Sequence, residues 1–471
     1  MKKVIKFCLL LVLAAGNLTA IAYADEVTDW NQIMLDTLRK AGASPITSIR
    51  VGAIVQSAVY DAVNGINGTF TPIHVAPAAP RGASLRTAAV QAAYATLVQL
   101  FPTQQSDLDA SRAASLAAIS SGGDDENEKE DDDENQDSRS IARGIEWGQT
   151  VADGILAWRS ADGFADTAPP FLGGSAPGQW RPTPPAFASG LLPLLGNATP
   201  FVIRSGAQFP QAGPPPLTSD QYATDFNEVK LLGSATSPSR TSDQTVLALF
   251  WQSSLSGPDY FWDRVAVSLG AQRRTSLSQN ARTLAMVNIA LADAVIAAWY
   301  GKYKFAFWRP LTAIQNADDD GNAATSSDAN WTPLLVTPPY PDYPSGLLSV
   351  SSAALAVIAH QFGERTSFTV DSNGMPGVVR FFPDVPAALD ELVNARILAG
   401  IHFRTADVDA VKLGTSIGNY IIANSFQSVH KEKEDKKDEN DKKGKKDKKD
   451  KKDKKDKKDK KDKKDKKDKK D

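Results

Sequence analysis

The sequence has little cysteine and little histidine, and these shortages exclude several classes of active site. Among 471 residues there is one cysteine, Cys8, and only four histidines. Because Cys8 lies in a segment that we expect to be removed, the mature chain is predicted to have neither disulfides nor thiol chemistry. The histidines form no HExxH motif or other paired metal-ligand spacing, which argues against a zinc hydrolase. The sequence also has no glycine-rich phosphate loop and no Gly-x-Ser-x-Gly elbow.

The first 24 residues have the pattern of a secretory signal. Lysines at the start precede an apolar run from Phe7 to about Ala15, which is too short to span a bilayer. Small residues at Ala22 and Ala24 then provide a cleavage site, and a polar chain begins at Asp25. We therefore predict a secreted or periplasmic protein with residues 1–24 as a cleaved signal peptide. We expect no later segment of the chain to span a membrane.

Formal charge is nearly balanced over the whole chain, but it is strongly segregated along it. Residues 124–138 contain ten acids and one lysine, and residues 431–471 contain 24 lysines and 15 acids in a KKD repeat. Neither segment has enough apolar surface to fold, so we predict a disordered acidic loop and a disordered tail (429–471) attached to one domain at 25–428. The tail either remains solvated or docks electrostatically on the acidic loop or on an anionic envelope or polymer. Because no aromatic residue interrupts the tail, a nucleic-acid partner is not expected.

Between these segments, apolar residues recur at helical spacing. The predicted helices span residues 30–40, 49–63, 85–101, 140–159, 244–251, 260–269, 280–299, 345–362, 387–398 and 408–425. Residues 160–240 are instead rich in proline and glycine, yet they contain large apolar residues such as Trp180 and Phe201. We interpret this stretch as an ordered covering over a site rather than a free linker. The sequence thus predicts an all-α domain of packed helices.

Three segments in the C-terminal half carry an unusual set of polar groups, and the first two supply most of the donors. Lys302 follows a long apolar helix and stands seven residues before Arg309, in aromatic company. In the second segment Pro344 starts a helix, Ser345 adds a hydroxyl, and Gly346 lets an anion approach the free amides of the helix N-terminus. Taken singly, the basic pair is also compatible with snorkelling or cation–π contacts, and the second segment with an ordinary capped helix.

The third segment places Arg396 and His402 six residues apart, with Gly400 between them. If Gly400 ends the helix, the chain can turn His402 back toward Arg396. Alone, such a histidine more often fills a satisfied position in the core. Together the three segments supply three cations, a hydroxyl, backbone amides and one nucleophilic nitrogen, which suit a tetrahedral oxyanion such as vanadate or phosphate.

In this order, Lys-x6-Arg-Pro, Pro-Ser-Gly and Arg-x5-His resemble the motifs of the vanadium-dependent haloperoxidases and type-2 phosphatidic acid phosphatases. The residues around them, in particular Phe307 to Ile314 and Gly400 to Arg404, are similar to the bacterial haloperoxidase-like branch, and the resemblance covers roughly residues 28–425. It implies a helical-bundle fold, a vanadate cofactor or phosphate in its place, and small-molecule substrates, either peroxide and halide or a phosphate ester. It leaves the oligomeric state open.

The resemblance also implies roles for individual residues. The expected oxyanion-binding residues are Lys302, Arg309, Ser345, Gly346, Arg396 and His402. Of these, His402 is expected to ligate vanadium, or to become phosphorylated in a phosphatase, and Lys302 to polarise bound peroxide. A carboxylate should hold the far nitrogen of His402. Asp407 and Asp409 are candidates, although Ala406 occupies the place where the phosphatase pattern has its aspartate.

One position departs from the family pattern. The second motif normally reads Pro-Ser-Gly-His, whereas this sequence has Leu347 at the place of the histidine, which is the family's acid–base residue. Loss of such a group typically lowers a rate by about 10²–10⁴-fold. Candidates for a different acid are Tyr343, Asp342, Lys304 and water.

Three interpretations of this departure remain open. The protein is a haloperoxidase-like enzyme with another acid, a phosphatase limited to esters with good leaving groups, or an oxyanion- or envelope-binding relative without turnover. We favour haloperoxidase-like chemistry because the surrounding sequence is similar to that branch.

Overall fold

The computed structural model describes residues 25–121, 133–253, 261–372 and 374–429. The predicted signal peptide and the lysine-rich tail lie outside the described residues, apart from Val429, and so does most of the acidic loop. The last residues of that loop differ from our expectation, because a helix already begins at Asp133. An acidic sequence is compatible with the start of a helix, since negative charge there interacts favourably with the helix dipole.

The described residues form thirteen α-helices and one short hairpin, which confirms the all-α prediction. The helices are α1 Glu26–Lys40, α2 Pro45–Asn67, α3 Leu85–Leu100, α4 Gln105–Ser121, α5 Asp133–Arg159, α6 Asp220–Leu232, α7 Ser242–Ser253, α8 Phe261–Arg273, α9 Leu277–Phe305, α10 Pro310–Gln315, α11 Gly346–Phe362, α12 Val385–Leu398 and α13 Arg404–Asn424. The hairpin pairs β1 Phe368–Asp371 with β2 Val379–Phe382 in antiparallel register.

Two helices of more than ten residues, α4 and α6, were not predicted from the sequence. Helix α4 buries only Leu108 and Ile119, so its apolar pattern is too sparse to reveal a helix. Helix α6 lies inside the proline-rich stretch 160–240, and it begins where Ser219 Oγ accepts a hydrogen bond from the amide of Tyr222. The prolines before it concealed a short helix that buries Tyr222, Phe226 and Val229 at helical spacing.

Helix α9 forms the centre of the molecule. It contacts α2 and α1 in the N-terminal half and α11, α13 and α8 in the C-terminal half. It is long and apolar enough to cross a membrane, but 94% of its most apolar window is buried by the rest of the protein, as in a core helix. Each leucine buried in this way contributes about 1.5–3 kcal/mol to stability. The packing therefore fixes the C-terminal end of α9, where Lys302 lies.

The proline-rich stretch is an ordered covering, as predicted, and the structure shows that it is attached to α9. The buried carboxylate of Asp293, in the middle of α9, accepts hydrogen bonds from three successive amides, those of residues 201–203, at 2.6, 2.9 and 2.9 Å. Further along, the amide of Trp180 donates to the carbonyl of Ala306 at 2.7 Å. These bonds satisfy backbone groups that burial would otherwise leave unpaired. The covering is thereby fixed beside the C-terminal end of α9.

Candidate active site

Lys302 is fully buried near the end of α9 and points at the loop before α11. Its ammonium group donates to the carbonyl oxygens of Pro341, Asp342 and Pro344 at 3.0, 3.1 and 2.5 Å. It also lies 4.9 Å from the centroid of the Tyr340 ring. Burial, and then the neighbouring guanidinium of Arg309, hold the pKa of Lys302 well below its usual value. The snorkelling alternative for this lysine is therefore wrong, because none of its surface reaches solvent.

Arg309 is the residue before α10, and its side chain turns inward. Its Nε donates to the carbonyl of Tyr340 at 2.8 Å, and Nη1 donates to the carbonyl of Ile401 at 2.6 Å. The remaining nitrogen, Nη2, is buried and has no hydrogen-bond partner in the described part of the chain. A buried guanidinium with one unused nitrogen is a ready donor for an anion.

Ser345 and Gly346 stand at the N-terminus of α11. The Ser345 side chain does not cap that helix, so the alternative of an ordinary capped helix fails here. Its Oγ is buried and has no hydrogen-bond partner of normal geometry among the described residues. A Cβ on Gly346 would lie 3.1 Å from the ring of Trp299 and 3.7 Å from Cε of Lys302, so a side chain there would crowd the site.

Arg396 and His402 approach each other through the turn that follows α12. The helix ends at Leu398, and Gly400 has a φ of 77°, a left-handed conformation that favours glycine. A Cβ on Gly400 would meet the carbonyl oxygen of Gly233 at 2.3 Å, so the close packing also requires glycine. Arg396 is buried, donates to Oε1 of Gln252 at 3.3 Å, and leaves its Nε without a partner in the segments that are described.

His402 lies between a carboxyl group and a guanidinium. Its Nδ1 is 2.7 Å from Oδ1 of Asp342, and its Nε2 is 3.1 Å from Nη1 of Arg309. A ring nitrogen next to a carboxylate must carry the proton, and one next to a guanidinium must accept, so the neutral Nδ1–H tautomer fits both neighbours. Burial, and then the positive charges of Arg309, Lys302 and Arg396, lower the pKa of His402 well below its usual value.

We expected Asp407 or Asp409 to contact the Nδ1 atom of His402, and this prediction was wrong. Asp342 makes that contact instead. Asp409 accepts a hydrogen bond from the Tyr343 hydroxyl at 3.0 Å instead. Burial raises the pKa of Asp342 to about 7, although Arg309 and Lys302 oppose the change. No sequence signal indicated this pairing, because residues 342 and 402 lie on separate segments.

Two of the proposed replacement acids point away from this cluster. The hydroxyl of Tyr343 is used by Asp409 and by the amide of Gly213, which donates to it at 3.2 Å. Lys304 is exposed and lies over the rings of Tyr300 and Phe305. Tyr340 is a site residue that sequence reasoning missed, since both Lys302 and Arg309 lie 4.9 Å from its ring centroid.

The donor set fits a tetrahedral oxyanion. Lys302, Arg309 and Ser345 are 0% exposed, and Arg396 and His402 are each 2% exposed. The buried donor atoms there that have no hydrogen-bond partner among the described residues include Arg309 Nη2, Arg396 Nε and Ser345 Oγ. Three cations, two of them with an unused nitrogen, match an anion such as vanadate or phosphate better than a cation. No group of three or more His, Cys, Asp or Glu side chains that suits a metal cation occurs within the described ranges.

Comparisons with known proteins point to one group of enzymes. A family model described as the VCPO second helical-bundle domain matches residues 282–431, which include all the residues of this cluster. Vanadium chloroperoxidase from Curvularia inaequalis is 26% identical, over 52% of this chain and 51% of that protein. The chain thus matches about half the length of this curated relative.

Solved structures of bacterial vanadium-dependent haloperoxidases are similar to this chain over more of its length. The crystal structure of a bacterial vanadium-dependent iodoperoxidase superposes with a TM-score of 0.69 and 26% identity, covering 85% of this chain and 97% of that one. An apo bacterial vanadium-dependent chloroperoxidase superposes with a TM-score of 0.61 over 80% and 94% of the two chains. At 16% identity, the second similarity bears on the fold alone.

Proposed function

Because this chain belongs to the vanadium haloperoxidase superfamily, we propose that it is an exported, haloperoxidase-like enzyme that holds vanadate and uses peroxide to oxidise a halide. The observation that carries the proposal is the convergence of three buried cations and one neutral imidazole on the same small region, with unused donor atoms on two of the cations. The Asp342 carboxyl group lies 3.6 Å from Nη1 of Arg309 and offsets part of this positive charge, and the remainder costs stability unless an anion compensates it.

Bound vanadate would supply a Lewis acid that activates peroxide. The residues of the chain bind and orient it. Arg309 and Arg396 would offer planar donors to the anion, and the Gly346 amide at the start of α11 would offer a third donor. His402 would present Nε2 to vanadate in place of its contact with Nη1 of Arg309, because Asp342 holds Nδ1. Lys302 would exchange at least one of its three carbonyl partners for the anion, whose negative charge favours the protonated ammonium form.

Hydrolysis of a phosphate ester through a phosphohistidine is the second candidate function. It is favoured by the low pKa of His402, because a neutral imidazole with its far nitrogen held is a nucleophile. The cations would then stabilise the charge that develops on the transferred phosphoryl group. With Leu347 in place of an acid, this reaction favours esters whose leaving group needs little protonation.

A paired assay tests both activities. Purified protein is incubated with vanadate, peroxide and bromide, and bromination of a phenol indicator is followed beside hydrolysis of p-nitrophenyl phosphate. Lys302→Ala is expected to abolish the active reaction. Lys304→Ala is the matched control and should retain it, because that lysine is exposed two residues away. Silence in both assays, in wild type and in Leu347→His, contradicts the enzyme proposal, while activity only in Leu347→His favours the non-catalytic alternative.

Export and the tail are proposals that the described residues do not cover. Mass spectrometry of the secreted protein should find Asp25 at the N-terminus, whereas an intact start at Met1 contradicts signal cleavage. Deletion of residues 431–471 should leave turnover unchanged if the tail acts only as an electrostatic tether to an anionic envelope. Loss of turnover in this variant contradicts that role.

A further inference from the structure

The family's acid–base position is occupied by Leu347, so a search for another acid must begin with the carboxyl groups around α11. Asp407 is fully buried in the first turn of α13. The N-termini of α13 and α11 meet there, because the amide of Ser345 donates to the carbonyl of Ala406 at 3.0 Å. Asp407 is thereby placed beside the predicted oxyanion site, on a helix that contributes no other residue to it.

Asp407 lacks the hydrogen bonds that normally accompany a buried carboxyl group. Neither of its oxygens has a hydrogen-bond partner of normal geometry in the described residues. Asp409, two residues later, differs in this respect, because its carboxyl group accepts hydrogen bonds from the Tyr343 hydroxyl and from Lys412. Among the described residues the hydroxyl of Ser345 is the one close polar neighbour of this kind that Asp407 has, and a buried carboxyl group with so little support avoids the cost of burying a charge by remaining protonated.

The groups that face Asp407 come from every neighbouring element. They are Lys302 on α9, Asp342 in the preceding loop, Ser345 at the start of α11, Arg396 on α12 and Arg404 on its own helix. Burial, which is the dominant cause, together with the neighbouring Asp342 carboxyl raises the pKa of Asp407 well above its usual value. The nearby Ser345 hydroxyl and the two arginines oppose this increase without reversing it.

We propose that Asp407, in its carboxylic acid form, is the proton donor of this oxyanion site and performs the role that Leu347 cannot. The inference rests on the proposed function, because it requires an anion at the cluster. The O–H bond of Asp407 breaks as an O–H bond forms on an oxygen of the bound anion or of a departing alcohol. The carboxylate that remains is stabilised by Arg396 and by the Ser345 hydroxyl, and water later returns the proton.

Sulfate is the probe for the test, because it is a tetrahedral dianion that does not titrate near neutral pH. Its dissociation constant is measured by calorimetry from pH 6 to pH 9 for wild type, Asp407→Asn and the matched control Asp409→Asn. In wild type and in the control, affinity should fall as the pH rises, since ionised Asp407 repels the anion, by up to about tenfold per pH unit. In Asp407→Asn that part of the pH dependence should disappear, leaving only the parts from Asp342 and Lys302.

The infrared carbonyl band of a protonated carboxyl group provides an independent readout. At neutral pH the difference spectrum between wild type and Asp407→Asn should contain one such band, and that between wild type and Asp409→Asn should contain none, because the other protonated carboxyl groups, Asp263 and Asp342 among them, are common to all three proteins. If Asp407→Asn does not fold, Asp407→Ser removes the carboxyl with a smaller side chain and replaces it in both measurements. On alkyl phosphates, Asp407→Asn should lose about 10²–10⁴-fold in rate, and added Leu347→His should restore part of it.

Failure of the proposed function and failure of this inference give different results. If wild type binds no sulfate and no vanadate, the proposed function and this inference are both overturned. If wild type binds the anion but Asp407→Asn has the same pH profile and the same infrared band, only the role of Asp407 is overturned.

Discussion

The Nδ1 atom of His402 lies 2.7 Å from Oδ1 of Asp342, and both side chains are almost completely shielded from solvent. The carboxyl group thereby fixes which ring nitrogen carries the proton. Nε2 is left as the acceptor, and it faces the guanidinium of Arg309. The tautomer required of an oxyanion-binding histidine is thus set by a residue from another segment of the chain.

Substitutions of Asp342 should distinguish its role in positioning His402 from the effect of its own charge. An asparagine side chain retains an oxygen that accepts from Nδ1–H, so Asp342→Asn should keep vanadate affinity within about threefold of wild type. Asp342→Ala removes the acceptor and should lower the affinity by about 10–100-fold, the usual effect of losing such a partner. Nitrogen NMR of labelled histidine reports the tautomer directly. An unchanged Nδ1–H form and unchanged affinity in Asp342→Ala would show that the carboxyl group has no positioning role.

We expect Arg396 to lower the stability of the anion-free protein, because its buried charge serves anion binding. Because its Nε is buried without a partner in the part of the chain described, Arg396→Met should leave the melting temperature of the anion-free protein unchanged or raise it. Phosphate at 100 times its Kd should stabilise wild type by about 2.7 kcal/mol and have no effect on the variant. Arg404→Met is the contrast, because Arg404 pairs with Glu228 at 2.7 Å, so its melting temperature should fall while the phosphate effect persists. The opposite pattern contradicts the assignment of Arg396.

Much of the fold was predictable because apolar periodicity is strong wherever a helix is buried on several sides. Helix α9 was expected at residues 280–299, and it spans Leu277–Phe305. Helix α4 was missed because it is mostly exposed and lacks an apolar stripe. The covering was recognised from its apolar content, but its attachment through Asp293 depends on backbone amides, which a sequence does not reveal.

Within the site, the motifs identified which residues converge, but they did not reveal how the residues contact one another. The family pattern places a carboxylate after His402 in the chain, and Ala406 stands there. The structure supplies the carboxyl from Asp342, which lies 60 residues earlier in the numbering. Long-range pairs of this kind depend on how helices pack, so the spacing of residues along the chain cannot predict them.

A buried acid outside the site offers a test of electrostatics in the core. Burial raises the pKa of Asp263 from its usual 3.8 to about 7, although Asn288 donates to both its oxygens. The folded protein then binds a proton more tightly than the unfolded chain, so stability falls as pH rises from about 4 to 7. Asp263→Asn should remove this loss and stabilise the protein at pH 8 by up to about 4 kcal/mol, with little effect at pH 4. Urea denaturation at both values measures it, and equal effects at the two pH values contradict it.

Attachment of the covering should depend on Asp293. Asp293→Ala leaves three amides, those of residues 201–203, without their acceptor, which should cost at least about 3 kcal/mol. Limited proteolysis should then cleave the chain between residues 195 and 215. Asp166→Ala, an exposed aspartate in the same stretch, should change stability by less than about 0.5 kcal/mol. Resistance of Asp293→Ala to protease would mean that other contacts hold the covering.

Binding of a tetrahedral oxyanion by the cluster around His402 is tested most directly by calorimetric titration with vanadate. Wild type should bind one equivalent. His402→Ala and Arg309→Met should bind at least about 100-fold more weakly while remaining folded, because each removes a group that faces the anion. Absence of vanadate binding by wild type, or undiminished binding by both folded variants, would contradict the assignment of this cluster as an oxyanion site.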